Sequence, residues 1–230
     1  MTLSSIVSSI LPRRAKEWIK ARAEIRYWRR RQSAEATLGN SHYEYFYTTL
    51  FGLEREDYVG KAVLDVGCGP RGSLEWATGA KDRVGLDPLA DSYRALGIDR
   101  HAMRYVCAPA EAIPFEDEYF DIVASFNSLD HVGDPVIAAR ELARVLMPGG
   151  TLLLIVEVEH DATLTEPHRL HADSSTRLFP GMELMWEARY RMDDTRGIYD
   201  QIRREDRIDD GMLGEAHILV ARLRKPALAA

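Results

Sequence analysis

Cysteine is scarce. Cys68 and Cys107 are the two in 230 residues, too few for a disulfide framework and without the paired spacing of a metal motif, so both read as small apolar fillers in a reducing compartment. No apolar run approaches the ~20 residues of a membrane span, and Met1-Thr2-Leu3-Ser4-Ser5 lacks the basic head of a secretory signal. No internal repeat or low-complexity tract points to a solenoid or a long disordered region. These absences predict a cytoplasmic chain. At 46% hydrophobic residues, the length suffices for one substantial core with extensions.

The most informative stretch is Val63-Leu64-Asp65-Val66-Gly67-Cys68-Gly69-Pro70-Arg71-Gly72, an apolar run that ends on a carboxylate and then turns through three glycines. Glycine lets the chain turn sharply and brings backbone N–H groups close to a bound molecule, where a Cβ would intrude. By itself Gly-x-Gly-x-x-Gly also suits nicotinamide or flavin binding. Asp65 sharpens the reading, because a carboxylate at the mouth of a strand repels a pyrophosphate and attracts a cationic amino group. Arg83-Val84-Gly85-Leu86-Asp87 then ends on an acid 20 residues past Gly67, the offset at which a second-strand carboxylate meets ribose hydroxyls.

Phe120 to Asn127 reads as another buried strand, and Asp134-Pro135 as N-cap and first-turn proline of a helix from Val136 to Leu146. That helix stops at Pro148-Gly149-Gly150, and a new apolar run covers Thr151 to Val158. Five strands with a helix between each specify an α/β fold, a parallel sheet covered by helices on both faces. Glu183 to Met192 and Ala216 to Arg224 read as two further strands. Between them, Asp193 to Glu215 reads as an exposed loop bearing Arg203, Arg204, Glu205, Asp206, Asp209 and Asp210.

Five pieces in order carry a resemblance: Val63 to Gly72, Gly85-Leu86-Asp87, Ala110 to Phe115, Phe120 to Val123, and Arg144 to Gly150. From about 60 to 158 the chain resembles class I S-adenosylmethionine-dependent methyltransferases, in the type 11-like subfamily that includes quinone-biosynthesis C-methyltransferases and many natural-product enzymes. The resemblance implies a Rossmann-like, seven-stranded, mostly parallel sheet with an antiparallel last strand, preceded by an N-terminal helical extension. It divides the chain into a helical arm or lid over 1–58 and a methyltransferase domain over 59–230, with a cofactor half at about 60–158 and substrate-side insertions at about 160–215. It implies S-adenosyl-L-methionine as donor and S-adenosyl-L-homocysteine as product. By position, Asp65 is implied to face the methionyl amino group, with Gly67, Cys68 and Gly69 under the methionyl and ribose portion. Asp87 is implied to bind the ribose hydroxyls, Leu86 and Pro88 to flank the adenine, Ala110 to offer an N–H to an adenine nitrogen, and Asn127 to offer its carbonyl to the amino group. Most relatives carry Asp before the Ala-Glu pair. Pro109 stands there instead, with neither side-chain acceptor nor N–H, which leaves adenine recognition to the backbone or to Glu111.

Acceptor determinants are expected on loops at the carboxyl ends of strands. Ser128-Leu129-Asp130-His131 follows one strand, and Glu157-Val158-Glu159-His160-Asp161 ends the next and leads into Glu166-Pro167-His168-Arg169-Leu170-His171. Strand alternation puts Glu157 and Glu159 on one face and His160 on the other. His131 is the first choice of general base, with His160 behind it; the competing reading of His131 is a loop histidine that bonds locally or positions substrate. Asp130, Glu157 and His168 join as substrate contacts. His42, Tyr43 and Tyr47, from the aromatic segment Asn40 to Thr49, are candidates for capping the methionyl end or lining the pocket, against a core aromatic helix as the alternative. These loops suit O-methylation of a hydroxylated small molecule such as a saccharide or polyketide. Alternatives are N- or C-methylation of another small molecule or of RNA, and a non-catalytic cofactor-binding scaffold. Glu157, Glu159, His160, Asp161, His168 and His171 hold enough donors for a divalent ion but match no metal motif, so no metal is predicted.

The amino-terminal arm is compositionally distinct. From Arg13 to Arg31, nine basic residues stand against Glu17 and Glu24, in a chain whose net charge is −6. Leu3, Ile6, Val7, Ile10 and Leu11, then Trp18, Ala21, Ile25 and Trp28, recur at helical spacing. The arm is expected to be a lid packed on its own domain or a homodimer contact, in preference to binding an anionic membrane surface or nucleic acid.

Overall fold

The computed structural model describes residues 12–163, 165–193, 197–209 and 214–227. The apolar stripe from Leu3 to Leu11 and Asp210 lie outside the described residues. Seven strands form one sheet: β1 (Ala62–Val66), β2 (Asp82–Leu86), β3 (Arg104–Val106), β4 (Phe120–Phe126), β5 (Leu146–Val158), β6 (Glu183–Arg191) and β7 (His217–Arg224). Their order is β3-β2-β1-β4-β5-β7-β6. The first five run parallel, and β7 is antiparallel to both β5 and β6. This is the seven-stranded, mostly parallel sheet that the sequence pattern calls for. The helices are α1 (Arg13–Glu35), α2 (Tyr43–Tyr47), α3 (Ala90–Tyr93), α4 (Pro135–Val145), α5 (Ser174–Arg177) and α6 (Ile198–Arg203).

Central parallel strands are covered on both faces, so they must be apolar throughout. Leu152 to Val156 of β5 are accordingly all fully buried. Alternation sends Leu64, Val66, Val84, Leu86 and Leu154 to one face, against Ala138, Ala139, Leu142 and Val145 of α4. Asp134 starts that helix as expected, its Oδ1 accepting from the N–H groups of Val136 at 2.9 Å and Ile137 at 3.1 Å. Val63, Ile122, Ala124, Leu153 and Ile155 point to the other face, where Phe46, Tyr47, Phe51 and Tyr58 lie.

The covering of that second face departs from the expected alternation. No helix lies between β1 and β2, where Gly72 to Gly79 make turns, and none between β3 and β4. Six residues separate Gly72 from Gly79, fewer than two helical turns, so the aromatic segment upstream of β1 takes the place of a crossover helix. The stretch after β6 also differs, because it is not all exposed loop. Ile198, Gln201 and Ile202 of α6 are buried, the two isoleucines packing into the aromatic layer.

Helix α1, about 35 Å long at 1.5 Å per residue, lies on this domain. Ile25 and Trp28 pack on Tyr93, Leu96 and Ile98, and Gln32 Nε2 donates to the Leu96 carbonyl at 2.8 Å. Trp18, expected on the same stripe, is instead 59% exposed, with the Arg22 guanidinium 4.6 Å over its ring.

Candidate functional site

Register brings the loops to one edge. Val66 lies opposite both Leu86 and Ser125, and Phe126 opposite Ile155, so the segments beginning at Gly67, Asp87 and Asn127 open on the same side of the sheet. Gly67 and Gly69 adopt φ of 78° and 58°. A Cβ on Gly67 would come within 2.4 Å of the Ser128 Cβ, and Ser128 Oγ donates to the Val66 carbonyl at 2.9 Å, tying the two loops together. The Gly69 N–H donates to Asp87 Oδ2 at 3.1 Å and the Leu89 N–H to Oδ1 at 2.8 Å. The glycine loop thus docks onto the second acid. Asp65 is buried on the aromatic face and accepts from Ser73 Oγ. Asn127, at φ 50°, donates its N–H to the Ile155 carbonyl at 2.7 Å, while its buried Oδ1 has no hydrogen-bond partner.

Burial pushes the carboxyls of Asp65 and Asp87 up to about 6, against the opposing hydrogen bonds from Ser73 and Tyr47 to Asp65 and from Leu89 and Gly69 to Asp87. These values lie above those of an unfolded chain, so between roughly pH 4 and 6 the native state binds more protons and gains stability as pH falls. The ligand-free protein should therefore melt roughly 2–4 °C higher near pH 5.5 than near pH 7.5 for each kcal/mol gained. Calorimetry of the Asp65→Asn, Asp87→Asn double variant should show a smaller difference. An unchanged slope would place the titrating groups elsewhere.

Helix α1 covers this edge. The Trp28 ring stands 3.2 Å from where a Cβ on Gly69 would be, and its Nε1 donates to Glu24 Oε1 at 2.6 Å. Lys20 Nζ donates to the His131 carbonyl, and burial lowers its pKa against the pull of Asp130, Glu24, Glu166 and Glu111. Near the helix end, Glu35 receives two hydrogen bonds from Arg71 at 2.7 Å each, which hold its carboxyl down at about 2. Trp28, Lys20 and Arg71 were not expected at the site. The helical spacing of Ile25 and Trp28 shows a packed face, but nothing local says which surface receives it.

Several expected site residues are committed elsewhere. Leu86 is buried in the core with the residues of α4, because alternation gives it the face of Val84, so its side chain lines no open site; the Ala110 side chain is buried in the same cluster, which leaves the expectation for its backbone N–H untouched. Pro88 is exposed, and its carbonyl accepts from Cys107 Sγ at 3.3 Å. Cys68 is buried against Gly85, whose Cβ would come within 2.6 Å of its sulfur, and burial pushes its thiol up. Glu111 Oε1 accepts from the N–H groups of Gly133 at 2.5 Å and Asp134 at 3.1 Å. Tyr43 and Tyr47 are buried in the aromatic layer, Tyr47 with its ring 4.6 Å from Phe126 and its hydroxyl on Asp65. His42 is half-buried, its ring 4.3 Å from Tyr43 and its pKa lowered by burial.

The histidine-rich loops divide in two. Asp130 is completely buried, with Oδ2 at 3.6 Å from His131 Nε2 and 3.8 Å from His160 Nε2, and His131 Nε2 lies 3.9 Å from Glu166 Oε1. Burial raises the Asp130 carboxyl to about 6 and lowers the His131 imidazole. By contrast, Glu159 is saturated by Arg169 at 3.1 Å, His171 Nδ1 at 3.2 Å and the Ala172 N–H at 3.0 Å. The expected alternation stops at Val158, because Glu159 turns the chain at φ 59°. Glu157 stays in the ladder opposite Ile218, and His168 Nε2 lies 2.9 Å from the Val132 carbonyl.

Residues 64–154 match the family model described as a methyltransferase domain. Over 106 residues the chain is 36% identical to the ubiquinone/menaquinone biosynthesis C-methyltransferase UbiE of Vibrio vulnificus, covering 42% of this chain and 41% of that protein. Over 110 residues it is 34% identical to the chloroplastic tocopherol O-methyltransferase of Arabidopsis thaliana, covering 44% of this chain and 32% of that one. The matched part spans less than half the length of either relative. Among solved structures, an S-adenosylmethionine-dependent methyltransferase of Thermotoga maritima, described as a possible histamine N-methyltransferase, superposes with a TM-score of 0.59 at 15% identity, over 90% of this chain and 99% of that one. The [4+2]-cyclase SpnF superposes at 0.54 with 20% identity, over 80% and 79%.

Proposed function

We propose that this chain, which has the class I S-adenosylmethionine-dependent methyltransferase fold and a methyltransferase domain over residues 64–154, transfers a methyl group from S-adenosyl-L-methionine to a small acceptor. The observation that carries this reading is the pair of buried acids bracketing the glycine loop, with the unpartnered Asn127 Oδ1 beside them. An unsatisfied buried acceptor costs about 1–3 kcal/mol, and a cationic amino group would relieve it. Asp65 supplies the negative field for the same amino group, and Asp87 accepts from the ribose hydroxyls while its loop hydrogen bonds hold it in place. The bound sulfonium supplies an electrophilic methyl carbon and leaves as the neutral thioether. The chain's own work is to align an acceptor in line with that carbon and, for a hydroxyl acceptor, to take up its proton.

We assign the acceptor end to Asp130, His131 and His160, and read the reaction as O-methylation of a hydroxylated small molecule. Two imidazoles gathered around one buried carboxylate favour a hydroxylated acceptor over an apolar one. The match to UbiE supports carbon as the competing acceptor atom. Calorimetry with S-adenosylmethionine and with NAD tests the cofactor: tighter binding of NAD would sink the methyltransferase reading. Incubation with an intracellular metabolite extract, followed by mass and NMR assignment of the methylated atom, tests the acceptor. A methyl on carbon or nitrogen would replace the O-methylation reading, and no S-adenosylhomocysteine with any acceptor would leave a binding protein.

We also read α1 as a lid, because Trp28 stands on Gly69 where the cofactor's ribose portion would lie. An apparent affinity falls by the fraction of molecules that are binding-competent. If about one molecule in ten is open, Trp28→Ala should tighten S-adenosylmethionine binding by up to about tenfold and speed its association. Slower association and weaker binding would instead make Trp28 part of the cofactor's own contact surface.

A further inference from the structure

We propose that Asp130, His131 and Glu166 form a binding site for a divalent first-row transition ion, with His160 as the group that orients Asp130. The three donor atoms all lie within 4.8 Å of one another, with 3.6 Å from Asp130 Oδ2 to His131 Nε2 and 3.9 Å from His131 Nε2 to Glu166 Oε1. Donors bonded at about 2.1 Å to one ion stand ~3.0 Å apart at a right angle and ~4.2 Å apart across it, so the spacing already suits a common ion.

The independent observation is burial without a partner. Asp130 is completely buried, and neither of its carboxylate oxygens receives a hydrogen bond from another residue. His160 Nε2 is also buried without a hydrogen-bond partner, and it points at the same Asp130 oxygen from 3.8 Å. A buried carboxylate is costly unless it is paired, hydrogen-bonded or coordinated to a metal. Lys20 lies nearby, but its Nζ donates to the His131 carbonyl, so it lends charge without satisfying the carboxylate. Two carboxylates with imidazole favour Mn²⁺, Fe²⁺ or Zn²⁺ over Mg²⁺, which prefers oxygen and water alone. The loops after β4 and β5 carry these residues to the same edge as Asn127. An ion there would hold and acidify an acceptor hydroxyl, with His131 as its ligand; that consequence alone rests on the methyl-transfer reading.

The full chain, freed of metal by chelation and held without cofactor, should take up one equivalent of Co²⁺ with visible d–d absorption bands. Zn²⁺ should displace it in calorimetry. Glu166→Gln, at a partly exposed position, should weaken Zn²⁺ by at least about 10–100-fold with an unchanged melting curve. Asp130→Asn should abolish the bands. If Asp130→Asn does not fold, Glu166→Gln decides. Lys20→Met removes a competing positive charge and should bind Zn²⁺ at least as tightly as wild type. Failure of the wild-type chain to give Co²⁺ bands or Zn²⁺ heat would overturn the site and make the cluster Lys20's counter-charge. Binding seen only in Lys20→Met would overturn it too, and equal Zn²⁺ affinity in Glu166→Gln would put the ion elsewhere.

Discussion

His131→Ala is expected to lower kcat by about 10²–10⁴-fold, the usual contribution of a positioned acid or base, while leaving S-adenosylmethionine affinity nearly intact. The residue sits four positions past Asn127, in the loop after β4, and its imidazole faces Asp130 and Glu166 rather than the glycine loop. Its loss should therefore touch the acceptor and spare the cofactor. A residue that only orients the acceptor raises KM more than it lowers kcat. His131→Gln keeps a hydrogen-bonding group without a basic nitrogen, so substantial retained activity would count against proton abstraction. Co²⁺ titration of the same variants separates an imidazole that takes the proton from one that holds an ion. Wild-type turnover in His131→Ala would move the acceptor chemistry to His160 or to alignment alone.

Asp87→Ala is expected to weaken S-adenosylmethionine binding by about 1.5–3 kcal/mol, or about 10–150-fold in Kd, as for loss of charge-assisted hydrogen bonds to the ribose hydroxyls. The structure adds a second role, since the same carboxylate receives the Gly69 and Leu89 N–H groups. Asp87→Asn retains one acceptor oxygen for that loop but loses the charge, so it should keep the fold and show a smaller loss of affinity. Unchanged calorimetric affinity in a folded Asp87→Ala would reduce Asp87 to a loop anchor.

The edge that gathers the glycine loop and the two acids was legible because its signals are local. Asp65, the glycines and Asp87 each sit at a strand end, and strand ends are marked by where an apolar run stops. The Asp134-Pro135 helix start was equally plain, because an N-cap binds backbone only two and three residues ahead. The expected crossover helix after β1 is absent, because the six residues between Gly72 and Gly79 are too few for two helical turns, and alternation with neighbouring elements carries no information about that length. Glu111 shows the same limit. Its carboxylate is 22 residues from the Gly133 N–H that occupies it, a pairing that no motif spacing records.

Period and punctuation in the chain determined the α/β class, the parallel sheet and the edge where the glycine loop opens, because burial on both faces and positive φ restrict residue type at each position. Only the tertiary structure decided which polar side chains share that edge. Among six candidate donors around Glu157 to His171, it joined His160 to Asp130, tied Glu159 to Arg169 and His171, and recruited Glu166. It also laid Trp28 on Gly69 and Lys20 on His131, across 41 and 111 positions of sequence. Such contacts depend on where whole elements dock, and docking is set by shape and buried area summed over many residues rather than by any one of them.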